Sequence, residues 1–305
     1  MPRHITIAFP GQGSQYLGML NDLPVNLINV FKDQVFEALD FDLIDIINNG
    51  PEENFNKTSV TQPAILLASF LEYKSITEKL HIEPDLVCGH SLGEYTALLA
   101  AESLTLQDAL NLVNKRGSFM EDSPKGSMYA ILNTDFELVE KCCLMATSEL
   151  DKISAPANIN SNNQVVISGD IDAVELSVKY LKERGSKCVK LNVSVASHCK
   201  LMNKAAKNFK NILNDVYISD PKYNLINNFD AKLITNSSEI KEKLYKQLIN
   251  PVQWVNIMKH VKDHDGIFIE CGPKKVLSGL AKANDINNIY STSSVDFINE
   301  IKKIL

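Results

Sequence analysis

The chain has 305 residues, 45% of them hydrophobic and 22% charged, a balance that suits a folded protein with a sizeable core and excludes a disordered one. Its formal net charge of -6 argues against wholesale nucleic-acid binding, because neutralising a phosphate backbone calls for a surplus of Lys and Arg. The six cysteines show neither a C-x-x-C pair nor a regular spacing, and no apolar run is long enough to span a bilayer, so reduced thiols in a cytoplasmic protein without zinc or disulfides are expected.

In chain order, MPRHITIAFPGQ holds only a brief apolar run before Pro10 and Gly11, too short for a signal segment. Ile5 to Phe9 is β-branched and aromatic and gives way at once to Pro-Gly-Gln-Gly-Ser-Gln, the pattern of a buried strand ending in a tight loop. That loop makes a poor dinucleotide cradle, since Tyr16 stands where G-x-G-x-x-G needs its third glycine. Thr61-Gln62-Pro63-Ala64 reads as a helix start with proline in the first turn. Leu86-Val87-Cys88 is the next strand, running into Gly89-His90-Ser91-Leu92-Gly93 and a helix from about Glu94 to Ala101. Strand alternating with helix favours a parallel sheet covered on both faces.

From Ser127 the order becomes βαββαβ, with a turn at Asn160 to Asn163 and a last strand KCVKLNV, as in a ferredoxin-like unit. A Lys-rich helix, an irregular stretch, a helix near Glu239 to Leu248, a strand from Gly266 to Glu270 and a final helix follow His198. The expected fold is therefore α/β. Residues 1–125 and 199–305 would form a larger α/β-hydrolase-like subdomain around a parallel sheet, and residues 126–198 a smaller inserted ferredoxin-like subdomain.

Gly89-His90-Ser91-Leu92-Gly93 is a Gly-x-Ser-x-Gly between a strand and a helix, the setting of a nucleophile elbow. A serine hydroxyl is a poor nucleophile until a base takes its proton, and the sharp turn lifts it clear of the backbone for that base to reach. The turn also aims the Leu92 N–H at the place where an oxyanion forms, and Gln12, in the loop after the first strand, is the candidate for a second such donor. Of the six histidines, His4 starts a strand, His81, His260 and His264 lie among polar neighbours, and His90 points away from its neighbour on a tight turn. His198, where a strand ends before a helix, is left as the base. No acid between Ser91 and His198 stands out as a third triad member, which leaves a backbone carbonyl to orient the imidazole. Arg116 falls on the apolar stripe of Leu106, Ala109, Val113 and Met120, in a helix opening at Thr105 with Asp108 completing a capping pair. A long side chain snorkelling from the stripe's edge is one account of it; a planar cation holding a substrate carboxylate beside an acyl-serine is the other.

With these residues in place the chain resembles the bacterial malonyl-CoA:acyl carrier protein transacylases. FPGQGSQ, TQPA, GHSLGEY, KRGSFM, SHC, NPVQW and the Gly272-Pro273 to Leu277 segment occur in the family's order and span nearly the whole chain. The resemblance implies Ser91 as nucleophile and His198 as base, with the main-chain carbonyl of Gln247 orienting the histidine. It also implies an oxyanion hole from the N–H groups of Gln12 and Leu92, with Arg116 and Gln62 at the substrate. Malonyl-CoA and acyl carrier protein are the implied partners, with no cofactor and no metal, and a monomer free of nucleic acid and membrane is expected. Acyl carrier proteins are acidic, so Lys200, Lys204, Lys207 and Lys210, or Lys182 and Lys187, are candidates for a docking patch; a solvated helix face accounts for them equally well. Ala196, Asn162-Asn163 and Lys274 depart from the family's usual proline, Pro-Gly and glycine, and asparagine's tolerance of left-handed backbone is expected to preserve the turn. A serine esterase or thioesterase, and a polyketide-type or methylmalonyl-preferring acyltransferase, are the alternatives.

Overall fold

The computed structural model describes residues 4–193 and 195–305. Residues 1–3, on which part of the N-terminal reading falls, and Ser194 of the Ser-Val-Ala-Ser-His stretch lie outside the described residues. The chain begins with β1 (Ile5–Phe9), α1 (Val25–Leu39), α2 (Leu43–Asn49), α3 (Glu52–Phe55), α4 (Thr58–Leu80), β2 (Leu86–Gly89), α5 (Gly93–Ala100) and α6 (Leu106–Glu121). It continues through β3 (Ser127–Leu132), α7 (Phe136–Leu150), β4 (Ser154–Ser161), β5 (Gln164–Gly169), α8 (Ile171–Glu183) and β6 (Lys187–Lys190). The last part holds α9 (Asn203–Asp215), β7 (Asn224–Ile226), β8 (Leu233–Ile234), α10 (Ile240–Ile249), α11 (Trp254–Asp263), β9 (Ile267–Glu270), α12 (Val276–Ala283), β10 (Ile289–Ser291) and α13 (Phe297–Ile301).

Two sheets result, as the α/β reading expects. The larger runs β10-β9-β1-β2-β7-β8, parallel except for the terminal β7–β8 pair. Every residue of β1, β2 and β9 is buried, because helices cover both faces and leave no side of these strands for polar residues. The smaller sheet runs β4-β5-β3-β6 and is antiparallel throughout. Here the period of two decides the facing: Tyr129 and Ile131 pack with Val139, Cys142 and Val178 of α7 and α8, while Met128 and Ala130 pack with Val166, Ala157 and Ala196 on the other side. The sheets are tied where Val252, of NPVQW, bonds along β4: its N–H donates to Ala157 O and its carbonyl accepts from Ile159 N, both at 2.9 Å.

Several expectations need correction. The helix carrying Gln62 begins at Thr58, so Pro63 lies inside α4. Proline has no N–H for the Ser59 carbonyl one turn back, and Asn114 of α6 donates to that oxygen instead, at 2.9 Å. The strand read as KCVKLNV ends at Lys190. β7 lies in the stretch read as irregular and β10 beyond the last predicted helix; at three residues each, both are too short to show a period. Asn162 and Asn163 make their turn without the left-handed conformation, whereas Lys274 adopts it with φ +65°. Lys274 thus holds a left-handed backbone that a glycine would adopt at lower cost.

Candidate active site

Ser91 joins β2 to α5 at φ +52°, a left-handed conformation that costs a residue with a Cβ about 1–2 kcal/mol. The surroundings over-determine it. A Cβ on Gly89 would lie 2.0 Å from the Gly93 carbonyl, and one on Gly93 would lie 2.0 Å from Phe9 O, so only glycine lets the turn close against β1. The buried Asn228, after β7, staples the elbow: its Oδ1 accepts from Ser91 N at 2.6 Å and its Nδ2 donates to Gly89 O at 2.7 Å.

Ser91 Oγ lies 2.8 Å from His198 Nε2, and His198 Nδ1 lies 2.7 Å from the main-chain oxygen of Gln247 on α10. A carbonyl only accepts, so Nδ1 carries the proton and Nε2 presents its lone pair to the serine hydroxyl. Burial and the neighbouring Arg116 cation push the imidazole pKa down to about 3, which keeps the ring neutral at physiological pH.

Arg116 is fully buried on α6. Its Nη1 donates to Gln62 Oε1 at 2.8 Å, and its Nη2 to Gln247 Oε1 at 3.0 Å and Ser91 Oγ at 3.2 Å. Its guanidinium also lies 5.4 Å from the Tyr95 ring centre. Close approach of α6 to α4 makes this possible: a Cβ on Gly117 would stand 2.6 Å from Ser59 Cα. Among the described residues no carboxylate is hydrogen-bonded to this guanidinium; neutral amides hold it in place beside Ser91. Snorkelling does not account for it, because the charged end is inside.

Ser91, Leu92, Gln12, Arg116, Met128, Asn158 and His198 line one cleft of about 540 Å³ between the two sheets' ends. Gln12 and Leu92 both border it, and among the described residues neither N–H donates to a carbonyl of a neighbouring loop or turn. Gln62 does not line the cleft; it sits behind Arg116, its own Nε2 on Met120 Sδ at 3.4 Å. His90 turns away from Ser91 toward Asn160 Oδ1, at 3.0 Å, and Trp254. A larger cleft of about 750 Å³ lies elsewhere, between the end of α4 and the segment before β7, and of its charged residues Lys222 pairs with Glu83 and Glu102. Lys200, Lys204, Lys207 and Lys210 are exposed on and before α9, and Lys182 and Lys187 on α8 and β6. Among the described residues no group of three or more His, Cys, Asp or Glu is placed to hold a metal, and no helix is long and apolar enough to cross a membrane.

Sequence reasoning did not single out Asn228 and Glu94. Asn228 stands in a run of polar residues with no period, and Glu94 has the appearance of an ordinary acid in a helix's first turn.

Residues 6–291 match the acyl transferase domain family. A malonyl CoA-acyl carrier protein transacylase of Haemophilus influenzae is 40% identical over 311 residues, covering 96% of this chain and 98% of its own. A solved malonyl CoA-acyl carrier protein transacylase from Coxiella burnetii superposes with a TM-score of 0.94 at 36% identity, covering 100% of this chain and 98% of that one. A malonyl-transacylase solved in complex with its type II polyketide acyl-carrier protein gives 0.92 at 35% identity, over 98% of this chain and 99% of that one.

Proposed function

The chain belongs to the acyl transferase family, within the malonyl CoA-acyl carrier protein transacylases, and from that premise we propose that Ser91, His198 and Arg116 load and hold the malonyl group. The enzyme is an acyltransferase that moves malonyl from malonyl-CoA to acyl carrier protein. The observation that carries the residue assignment is the buried Arg116, 3.2 Å from Ser91 Oγ and, among the described residues, without a hydrogen-bonded carboxylate, a cation whose charge an acyl carboxylate can pair.

In this reading His198 Nε2 takes the Ser91 proton as Oγ attacks the thioester carbonyl. The oxyanion develops toward the Gln12 and Leu92 N–H groups, each donor contributing on the order of 3 kcal/mol. The tetrahedral intermediate collapses, the carbon–sulfur bond breaks, and the coenzyme A sulfur receives the proton from His198; a thiol of pKa about 8.5 leaves readily. The phosphopantetheine thiol of the carrier protein then gives its proton to His198 and attacks the malonyl-serine, and Ser91 Oγ leaves with that proton. Gln247 serves through its carbonyl, which fixes the tautomer, and Gln62 through the guanidinium it holds. Because nucleophile, base and cation all come from the chain, the reading calls for no metal or cofactor.

The same reading takes in fatty acid biosynthesis as the pathway, the cytoplasm as the location and a monomer as the working unit. It assigns Ser91, Arg116 and Gln247 to the subdomain of residues 1–125 and 199–305, and His198 to the last residue of the inserted subdomain, 126–198. A carbonyl rather than a carboxylate behind His198, together with the inward arginine, favours it over a thioesterase.

Arg116→Ala is the test. Malonyl transfer should fall steeply, by a factor corresponding to several kcal/mol, while acetyl transfer is spared or raised, since an acetyl group has no carboxylate for the native guanidinium to bond. Equal losses for the two acyl groups would overturn the assignment.

A further inference from the structure

One buried acid has no part in the chemistry above. Glu94, in the first turn of α5, is almost wholly inaccessible, and its Oε2 accepts from the Gln247 side chain at 2.7 Å and from Asn228 N at 3.1 Å. The Gln247 amide therefore faces two acceptors with its NH2 group, Glu94 Oε2 and Ser91 O at 2.9 Å, which leaves its Oε1 for Arg116. An ionised carboxylate can only accept, so it forbids the flipped amide, which would turn an NH2 toward the guanidinium. Through that one amide the carboxylate is also the buried counter-charge to Arg116.

We propose that Glu94 is a positioning residue of the acyl-carboxylate site: it locks the Gln247 amide with its oxygen toward Arg116, and it balances the guanidinium's charge until an acyl carboxylate takes over. The inference rests on the reading of Arg116 as the malonyl clamp. Its consequence is a competition. When malonyl pairs with Arg116, Glu94 loses much of its electrostatic support and takes up a proton; when acetyl enters, it does not.

The groups around Glu94 permit this. Burial raises its pKa to about 7, offset by its bonds to Gln247 and Asn228 and by the Arg116 charge, while Asp230, beyond β7, adds to the rise. Cys88 on β2 and Tyr95 on α5 also face it, and burial raises both, with Glu94 adding to the rise, so they stay neutral. Lys243 of α10 is engaged with Asp230. His198, held at about 3, carries no proton to exchange at neutral pH.

The test is calorimetry of malonyl-CoA and acetyl-CoA binding to the Ser91→Ala protein, in buffers of different ionisation enthalpy. With Glu94 intact, malonyl-CoA should take up a fraction of a proton near pH 7 and acetyl-CoA none. Adding Glu94→Gln, whose side-chain oxygen still accepts both hydrogen bonds, should abolish the uptake. It should also tighten malonyl-CoA binding on the order of tenfold at about pH 8, with little change at about pH 6, where Glu94 is already protonated. A purely structural role would weaken both esters at both pH values. Equal proton uptake for the two esters, or malonyl uptake that survives Glu94→Gln, overturns the proposal. If Glu94→Gln fails to fold, the comparison of the two esters in the Glu94 protein decides alone. Failure of malonyl-CoA to bind any better than acetyl-CoA would bring down the Arg116 reading itself and this inference with it.

Discussion

The two sheets meet at the site but supply it differently. The parallel sheet and its helices hold Arg116 and Gln247 on buried helical positions and Ser91 in the tight turn between β2 and α5, and a glycine contact or a side-chain hydrogen bond fixes each of them. The antiparallel sheet delivers His198 on an irregular stretch after β6, at φ +61°. Ser91 and Arg116 are thus fixed by contacts within one layer, whereas His198 is held across the junction by the Gln247 carbonyl.

That comparison can be broken most sharply by removing its two halves in turn. Ser91→Ala and His198→Ala should each lower kcat by a factor on the order of 10⁶, and the double variant should lose no more than either single one, because the residues act as a unit. A double variant far below both would show that they act separately.

Arg116→Ala tests whether the side that holds the clamp tunes the base on the other. The folded pKa of His198 is depressed, so the base stays deprotonated down to about 3. Removing the cation takes away one cause of that depression, and the acid limb of the kcat/KM profile should move to higher pH, toward the ordinary histidine value. An unmoved limb would detach Arg116 from the base. The same depression predicts a loss of fold stability as pH falls from 6.5 toward about 3, where the unfolded chain binds a proton that the folded one does not.

Asn228→Ala removes the elbow's staple. Two hydrogen bonds that satisfy buried backbone groups are worth about 2 kcal/mol together, so kcat should fall about thirtyfold with little change in KM. A change confined to KM would argue against a role at the turn. Lys274→Gly should do least. Lys274 Nζ donates to Gly13 O at 3.2 Å from an exposed position, and glycine suits φ +65° at least as well, so stability should shift by less than about 1 kcal/mol in a denaturant titration.

How legible each residue is in the sequence depends on how it does its work. Ser91 and Arg116 act through side chains that break a local pattern, a serine between glycines and a cation on an apolar stripe, and both stand out in the sequence. His198 emerges by elimination. Gln247 acts on the histidine through its main-chain carbonyl, which carries no residue identity, so only resemblance points to it. Asn228 satisfies backbone groups more than a hundred residues away, a relation no local period encodes. Both layers of the fold follow from apolar runs and alternation, while β7, β8 and β10 exist because neighbouring strands template them. Pro63 reads as a start signal because the side chain that replaces its lost bond, Asn114, lies on another helix.

The most direct measurement is the intact mass of the protein after exposure to malonyl-CoA without carrier protein. One added malonyl group is expected. It should be retained in Arg116→Gln at reduced yield, be lost in Ser91→Ala, and leave on addition of the carrier protein's thiol. An adduct that persists in Ser91→Ala, or that carrier protein cannot discharge, would contradict the account.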